Sequence, residues 1–287
     1  MRGRGRIFMT VCVCVMAIGV ALCAVGVIMG GTFGVAGSYL GEKRFFNNNP
    51  VSQTHAGSTD PATKDLKEAE RISGIRELNV DVDFLKIIIH ETEGTEITVD
   101  TSQLSEELKH ALSIKQSGQR LDIITNGKEI WKNIFMPDID YQLNLRIGIP
   151  KDWRFQEVNL NIGAGDLEAD YLNADYLNVE VGAGQALIND FEAVSANVKV
   201  GAGKLGLSGN AEREITLDCG VGEIDFQAFG LQEHYNYDVN CNIGSVVVGS
   251  EEYSGFDSTY KQYNNGRKKI FAECGIGSIN ISFNNDL

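Results

Sequence analysis

The chain has 287 residues, of which 43% are apolar and 22% are charged, so it can form one or two folded domains and is not a disordered polymer. Its formal net charge is −14. Residues 1–44 carry +4, which leaves −18 for residues 45–287. A body this acidic repels nucleic acid, so we expect no nucleic-acid partner.

An uncharged, mostly apolar run at residues 7–40 predicts a transmembrane anchor. About 20 apolar residues are enough to span the hydrocarbon core of a bilayer. A cleaved signal peptide is the alternative, but its apolar region is typically only about 7–15 residues long. A lipoprotein site at Cys23 is a weaker alternative, because the bulky Leu22 directly precedes the cysteine.

The charges on either side of this run predict its orientation. Three arginines precede it, whereas Lys43 and Arg44 follow it beside Glu42. Because cytoplasmic flanks carry the excess of basic residues, residues 1–6 are predicted to be a cytoplasmic tail. Residues 41–69 are polar and predict an extracellular tether. The protein is then a single-pass protein of the plasma membrane with an extracellular body.

Residues 70–150 show strand-like alternation without a clear repeat, and we expect them to cap the N-terminal end of the body. Residues 80–85 align with residues 162–167, with aspartates in place of two glycines. Residues 102–110 predict a short helix, with Ser102 as its N-cap, or an excursion from the strands. Pro150 predicts a turn before the regular region begins.

A motif with two glycines recurs from residue 160 onward. Looser copies follow at residues 239–246 and 272–279. Fixed self-similarity of this kind is typical of solenoids. The first glycines of the four regular copies are 19 residues apart each time: Gly163, Gly182, Gly201 and Gly220.

Apolar and polar residues alternate through each copy, which predicts strands with one buried face. We therefore predict an all-β fold, a single-stranded β-solenoid (β-helix) of about seven coils at residues 70–287. Inward side chains should stack about 4.8 Å apart. The predicted inward positions include two columns, one of Ile162, Val181, Val200, Cys219, Cys241 and Cys274, and one of Ala164, Ala183, Ala202, Val221, Ile243 and Ile276.

The spacing lengthens to 22 and 33 residues between the last copies, so extra residues must leave the coils. Insertions in solenoids map to surface loops, which often bind ligands. The alternative is a lid that covers the open edge of the last coil. The larger excursion, residues 250–268, supplies a candidate binding loop of four aromatic residues: Tyr253, Phe256, Tyr260 and Tyr263.

Three cysteines of the body, Cys219, Cys241 and Cys274, share one inward column. Buried thiols act there as small apolar side chains. The alternative is a disulfide between neighbouring coils, most easily between Cys219 and Cys241, because stacked strands bring Cα atoms within disulfide range. No C-x-x-C pair or nearby histidine predicts a zinc site.

No other pattern predicts chemistry. The Gly-x-Gly motif precedes strands, whereas a phosphate-binding loop needs a helix N-terminus. The four histidines are scattered, and no column shows the carboxylate cluster of a glycoside hydrolase. Weak Ca²⁺ binding by solvated aspartates is a minor alternative, because no spacing matches a known calcium loop. We predict no enzyme activity, no catalytic residues, no cofactor and no metal site.

Several of these segments resemble a family found in membrane-anchored proteins of Gram-positive bacteria, the "putative adhesin" domain of unknown function. The resemblance covers roughly residues 75–283. It implies a β-solenoid at the cell surface without catalytic residues, and some relatives are thought to belong to envelope-stress systems. The motifs that carry it are YQLNLRIGIP, EVNLNIGAGDL, VEVGAGQALI, VKVGAGKLGL, DCGVGEIDF and ECGIGSINISF.

The predicted function is that of a membrane-anchored binding or adhesion module at the cell surface. Its expected partner is a cell-envelope polymer or a host surface. The alternative is an accessory component of envelope-stress signalling that contacts a membrane sensor protein. A third hypothesis is end-to-end self-association of the solenoid.

Overall fold

The computed structural model describes residues 64–65, 70–125 and 144–284, and strands make up most of them. This part of the chain also contains one short helix, α1 (Glu106–Ala111), and a 3-10 turn at Gln232–His234. The described residues therefore form an all-β fold, as predicted. The strands are β1 (Lys64–Asp65), β2 (Glu70–Ile72), β3 (Glu77–Val82), β4 (Lys86–Thr92), β5 (Ile97–Asp100), β6 (Leu112–Ser117), β7 (Arg120–Thr125), β8 (Asn144–Pro150), β9 (Phe155–Ala169), β10 (Leu172–Ile188), β11 (Phe191–Phe229), β12 (Tyr235–Val248), β13 (Glu251–Gln262) and β14 (Lys268–Asn284).

The predicted tail (residues 1–6), anchor (residues 7–40) and most of the tether (residues 41–69) lie outside the described residues. These three assignments remain predictions. Within the ranges that are described, no helix has the length and apolar character needed to cross a membrane.

Parallel strand pairing confirms the 19-residue period between residues 155 and 229. Leu160 of β9 pairs with Val179 of β10, which pairs in turn with Val198 of β11. β11 continues through a second coil, in which Gly220 stacks on the backbone of Gly201. Each coil of this region therefore lies on the preceding one with the repeats in register.

Side chains at matching positions of successive coils form buried columns. Val181, Val200 and Cys219, from three successive coils, are all buried. In β10 the alternation of buried and exposed residues breaks at positions 175–176 and 182–185, and again just after the strand. Each coil therefore has three short sides joined by corners. Burying one Val, Leu or Ile side chain stabilises the fold by roughly 1.5–3 kcal/mol, so the columns supply the main stabilising term.

The second glycine of each motif turns the chain at one corner. Gly203 has a φ of 149°, which side chains rarely adopt, and a Cβ there would clash with the carbonyl oxygen of Gly184 in the neighbouring coil. Gly222 repeats this geometry one coil later, with a φ of 147°. Glycine is therefore required at these corners for both its conformation and its size.

This corner turns the residue before its second glycine outward. Val221, Ile276 and Ile243 are 52%, 52% and 49% exposed. Strand alternation does not continue through a corner, so counting every second residue fails there. The inward column predicted at the following positions is therefore wrong: Ala164, Ala183, Ala202, Val221, Ile243 and Ile276.

The N-terminal part of the body adds one more rung, formed by β3 and β4 together. Both strands pair in parallel with β9, and Val82 lies opposite Ile162. The sequence alignment placed Val80 at that position, so it is wrong by two residues. On the other side of β3, the antiparallel pair of β6 and β7 continues the sheet.

Helix α1 begins later than the sequence predicts. Ser105 is its N-cap, and the Ser105 hydroxyl accepts a hydrogen bond from the Leu108 N–H at 3.4 Å. The predicted cap, Ser102, instead donates its backbone N–H to the Asp100 carboxylate at 2.8 Å. The helix itself is confirmed, and its predicted start is wrong because two residues of turn precede it.

The C-terminal strands do not follow chain order. The sheet runs β9, β10, β11, β14, β12 and β13, so the last strand of the sequence lies between β11 and β12. Cys274 of β14 pairs with Cys219 on one side and with Cys241 on the other. The described strands supply seven parallel rungs: β3 with β4, β9, β10, the two coils of β11, β14 and β12. The prediction that coils follow one another along the chain is right for residues 155–229 and wrong after them.

Candidate functional site

The predicted binding loop is largely an edge strand. β13 pairs antiparallel with β12, so that Tyr253 lies opposite Val246 and Tyr260 lies opposite Val239. Because both valines are buried, the two tyrosines point toward the end of the core. Their rings stack with centroids 3.9 Å apart and an interplanar angle of 20°. This stack covers the last rung of the solenoid.

The four aromatic residues of the predicted loop do not form one cluster. Tyr253 and Tyr260 are half-buried and pack against the core. Tyr263 lies beyond the strand and is 75% exposed. The backbone of Phe256 pairs with that of Ile243, and its side chain is outside what the structure describes. The placement of Tyr253 and Tyr260 fits the lid interpretation.

The polar side chains of this edge strand bond mainly to one another, and Lys261 also reaches β12. The Tyr253 hydroxyl donates to the Glu251 carboxylate, and the Tyr260 hydroxyl lies 3.4 Å from the same group. Desolvation, followed by the hydrogen bond to Glu251, raises the pKa of Tyr253. Tyr253 therefore stays a neutral donor at physiological pH. Lys261 Nζ donates to Asp238 of β12 at 2.5 Å.

The three cysteines of the body form a column of free, buried thiols. Because Cys274 lies between the other two, a bond from Cys219 to Cys241 would have to span two rungs, about 9.6 Å, beyond the range of a disulfide. The predicted pairing is therefore wrong in its register. Burial raises the pKa of Cys219, and burial with the two neighbouring thiols raises that of Cys274 to about 12. The thiols of Cys219 and Cys274 are therefore protonated at neutral pH and unreactive.

A groove of about 540 Å³ lies where several turns meet near the first regular coil. Its walls come from the turn before β3, the turn between β6 and β7, the connection from β8 to β9, and a corner of β10. Backbone hydrogen bonds join these turns: Arg76 donates to the Gln119 carbonyl at 2.7 Å, and Gln156 donates to the Arg76 carbonyl at 2.7 Å. The groove is therefore built on fixed backbone.

The connection from β8 to β9 supplies the aromatic side chain of the groove. Pro150 ends β8, and its carbonyl accepts a hydrogen bond from the Trp153 N–H at 3.1 Å, which confirms the predicted turn. Asp152 has a φ of 59°, a conformation that aspartate tolerates better than most residues. The turn places the Trp153 ring 6.4 Å from that of Phe155, and the indole Nε1–H has no hydrogen-bond partner.

Two guanidinium groups give the groove its polar character. Arg154 donates to Asp175 Oδ1 from Nε at 3.0 Å and from Nη2 at 2.7 Å. Hydrogen bonding to Asp175 raises the pKa of Arg154, so the group stays cationic. Arg76 is the second, exposed cation of the lining. A concave surface with one indole, two cations and the carboxylates of Asp152 and Asp175 has the mixed character of a ligand site.

Sequence reasoning missed this groove because its residues come from turns far apart in the chain. Only the segment KDWRFQ at residues 151–156 carried a signal, since it places a tryptophan and an arginine directly after a proline turn. In the part of the chain that the structure covers, no group of three or more His, Cys, Asp or Glu side chains could hold a metal ion.

Residues 75–233 match the family described as Toastrack DUF4097. The matched segment spans β3 to the second coil of β11 and ends before the strands that depart from chain order. The comparison with curated proteins finds no match.

Three solved structures are similar over about three quarters of the chain. A "putative cell adhesion protein" from Clostridium sporogenes is 16% identical, with 77% of this chain and 100% of that chain covered and a TM-score of 0.38. A "putative adhesin" from Bacteroides fragilis is 12% identical, with coverages of 77% and 98% and a TM-score of 0.33. One from Parabacteroides merdae is 16% identical, with coverages of 78% and 97% and a TM-score of 0.27. TM-scores this low do not establish a common activity.

Proposed function

This chain belongs to the Toastrack DUF4097 family, and from that premise we propose that it is a non-catalytic binding module displayed at the cell surface. Residues 7–40 anchor it in the plasma membrane, with residues 1–6 in the cytoplasm and the β body outside. The uncharged run and the basic residues before it support this arrangement. The body then presents a fixed surface to an extracellular partner.

The groove beside Trp153 is the observation that carries the proposal. It combines an indole with the guanidinium groups of Arg76 and Arg154, on a chain whose net charge is −14. The carboxylates of Asp152 and Asp175 balance these two cations within the lining, but the exposed Arg76 has no carboxylate partner in the groove and can bind an acidic group, and the indole offers apolar contact area beside it. The partner is therefore a cell-envelope polymer that carries sugar rings and acidic groups.

A binding assay with the full-length protein tests this function. Purified protein is mixed with insoluble cell-wall material that retains its anionic polymers, and the bound fraction is measured after sedimentation. Arg154→Gln combined with Arg76→Gln removes both cations of the groove and should lower the association constant about tenfold, as expected for two lost charge-assisted contacts. Arg213→Gln, an exposed arginine outside the groove, is the matched control.

Three results would contradict the proposal. Equal binding by the double variant and by the natural protein would show that the groove does not bind the polymer. If the natural protein binds neither intact cell-wall material nor material without its anionic polymers, a cell-envelope polymer is not the partner. Retained binding after the anionic polymers are extracted would exclude the acidic groups as the recognised feature.

A further inference from the structure

β13 is the end strand of the sheet on the C-terminal side. One of its edges pairs with β12, and no other strand of the described chain pairs with the opposite edge. The strand is 12 residues long, and an edge of that length presents a row of backbone donors and acceptors to another chain. We propose that β13 pairs antiparallel with β13 of a second copy, which joins two solenoids end to end about a two-fold axis.

The inward side chains of β13 determine the register of this pairing. Glu251, Tyr253, Tyr260 and Gln262 lie opposite buried residues of β12 and are therefore on the inner side of the strand, where Glu251 at its end is still exposed. Paired residues of two antiparallel strands point to the same side, so inward positions must face inward positions. Only one register pairs all four: Tyr253 with Tyr260 of the second copy, and Glu251 with Gln262 of the second copy.

The same register brings opposite charges together on the outer side. Glu252 then faces Lys261 of the second copy, and the two-fold axis creates this pair twice. Both side chains are exposed, and Lys261 already donates to Asp238 within its own chain. The second carboxylate places each lysine between two acidic groups. Ser254 faces Thr259 of the second copy, so no like charges oppose each other in these outer pairs.

The interior also favours a second copy over an unrelated strand. The stacked rings of Tyr253 and Tyr260 form the half-exposed end of the core. In the dimer each ring contacts the tyrosines of the other copy, and the two cores join through four aromatic rings. The Glu251 carboxylate accepts a hydrogen bond from the Tyr253 hydroxyl and, at this joint, faces the Gln262 amide of the second copy, which can donate another.

Cysteine cross-linking between two differently labelled chains tests both the dimer and its register. The full-length chain with Cys12, Cys14 and Cys23 replaced by alanine is the background. One preparation carries Ser254→Cys and another carries Thr259→Cys, two exposed positions where substitution leaves the core intact. After mixing under mild oxidant, we expect a disulfide between the two preparations and none within either preparation alone. Sedimentation of the background protein should show a dimer.

The matched control mixes the Ser254→Cys chain with a Gln227→Cys chain, in which the cysteine is exposed on β11. That mixture should give no cross-link. A Ser254→Cys chain that cross-links with itself would overturn the register. Sedimentation as a monomer at the highest soluble concentration, without a cross-link in the mixed sample, would overturn the dimer.

Discussion

At the residue scale, the corner glycines decide which side chains enter the core. Sequence alternation correctly assigned Ile162, Val181 and Val200 to the interior, because each lies in a straight segment between corners. It failed at Val221, since the positive φ of Gly222 turns the chain in a way that residue counting does not reveal. The sequence shows the spacing of the glycines, but it does not show whether the side chain between them points inward or outward.

Replacing Gly203 by alanine should destabilise the body by about 3 kcal/mol or more, because the residue has a φ of 149° and its Cβ would clash with the Gly184 carbonyl. Gly206→Ala is the matched control in the same coil. A Cβ there would meet only Leu187 Cδ1, at 3.2 Å, so a change within about 0.5 kcal/mol is expected. Urea unfolding followed by circular dichroism measures both. Equal losses of stability in the two variants would contradict the corner assignment.

At the element scale, the least predictable feature is the insertion of β14 between β11 and β12. The spacings of 22 and 33 residues showed that chain leaves the coils, but a spacing does not state which strands become neighbours. One signal was available. Cys274 is followed by Gly-Ile-Gly, as Cys219 is by Gly-Val-Gly, whereas Asn242 replaces the first glycine after Cys241. The segment that keeps both glycines is the one that stacks directly on β11.

The pairing of β11 with β14 also places two acidic side chains of the outer surface next to each other. Asp218 lies opposite Glu273. Desolvation raises the pKa of both carboxyl groups, and the negative charge of Asp218 adds to the effect on Glu273. Since the folded-state pKa values are raised, their contribution to stability is present at acidic pH and is lost as the pH rises through them.

Asp218→Asn should therefore raise the melting temperature at pH 7, by about 1–2 °C for roughly 0.5 kcal/mol. The gain should shrink as the pH falls into the acidic range, where the natural carboxyl groups become protonated. Asp170→Asn, an exposed aspartate in the turn between β9 and β10, is the control and should change the melting temperature little. Thermal melts at several pH values measure this. A stabilisation of Asp218→Asn that grows toward acidic pH would contradict the assigned shift.

At the scale of the whole molecule, the body is a set of parallel rungs, and the antiparallel strand β13 covers the C-terminal end of the set. The regular coils and most of their core could be predicted, because a fixed period of 19 residues indicates that residues 19 apart lie next to each other in neighbouring coils. The groove at Trp153 and the order of the last strands could not, because both depend on contacts between segments without a common spacing. The family match ends at residue 233, before that reordering begins.

The central claim is that β14 separates β11 from β12, and disulfide trapping across the outer surface tests it directly. Ser278 of β14 lies opposite Glu223 of β11 on one side and opposite Ser245 of β12 on the other. In a background without Cys12, Cys14 and Cys23, the pair Glu223→Cys with Ser278→Cys should form a bond that peptide mapping by mass spectrometry identifies. Glu223→Cys with Ser245→Cys should not, because two rungs separate those positions. A bond between positions 223 and 245, with none between 223 and 278, would contradict the fold described here.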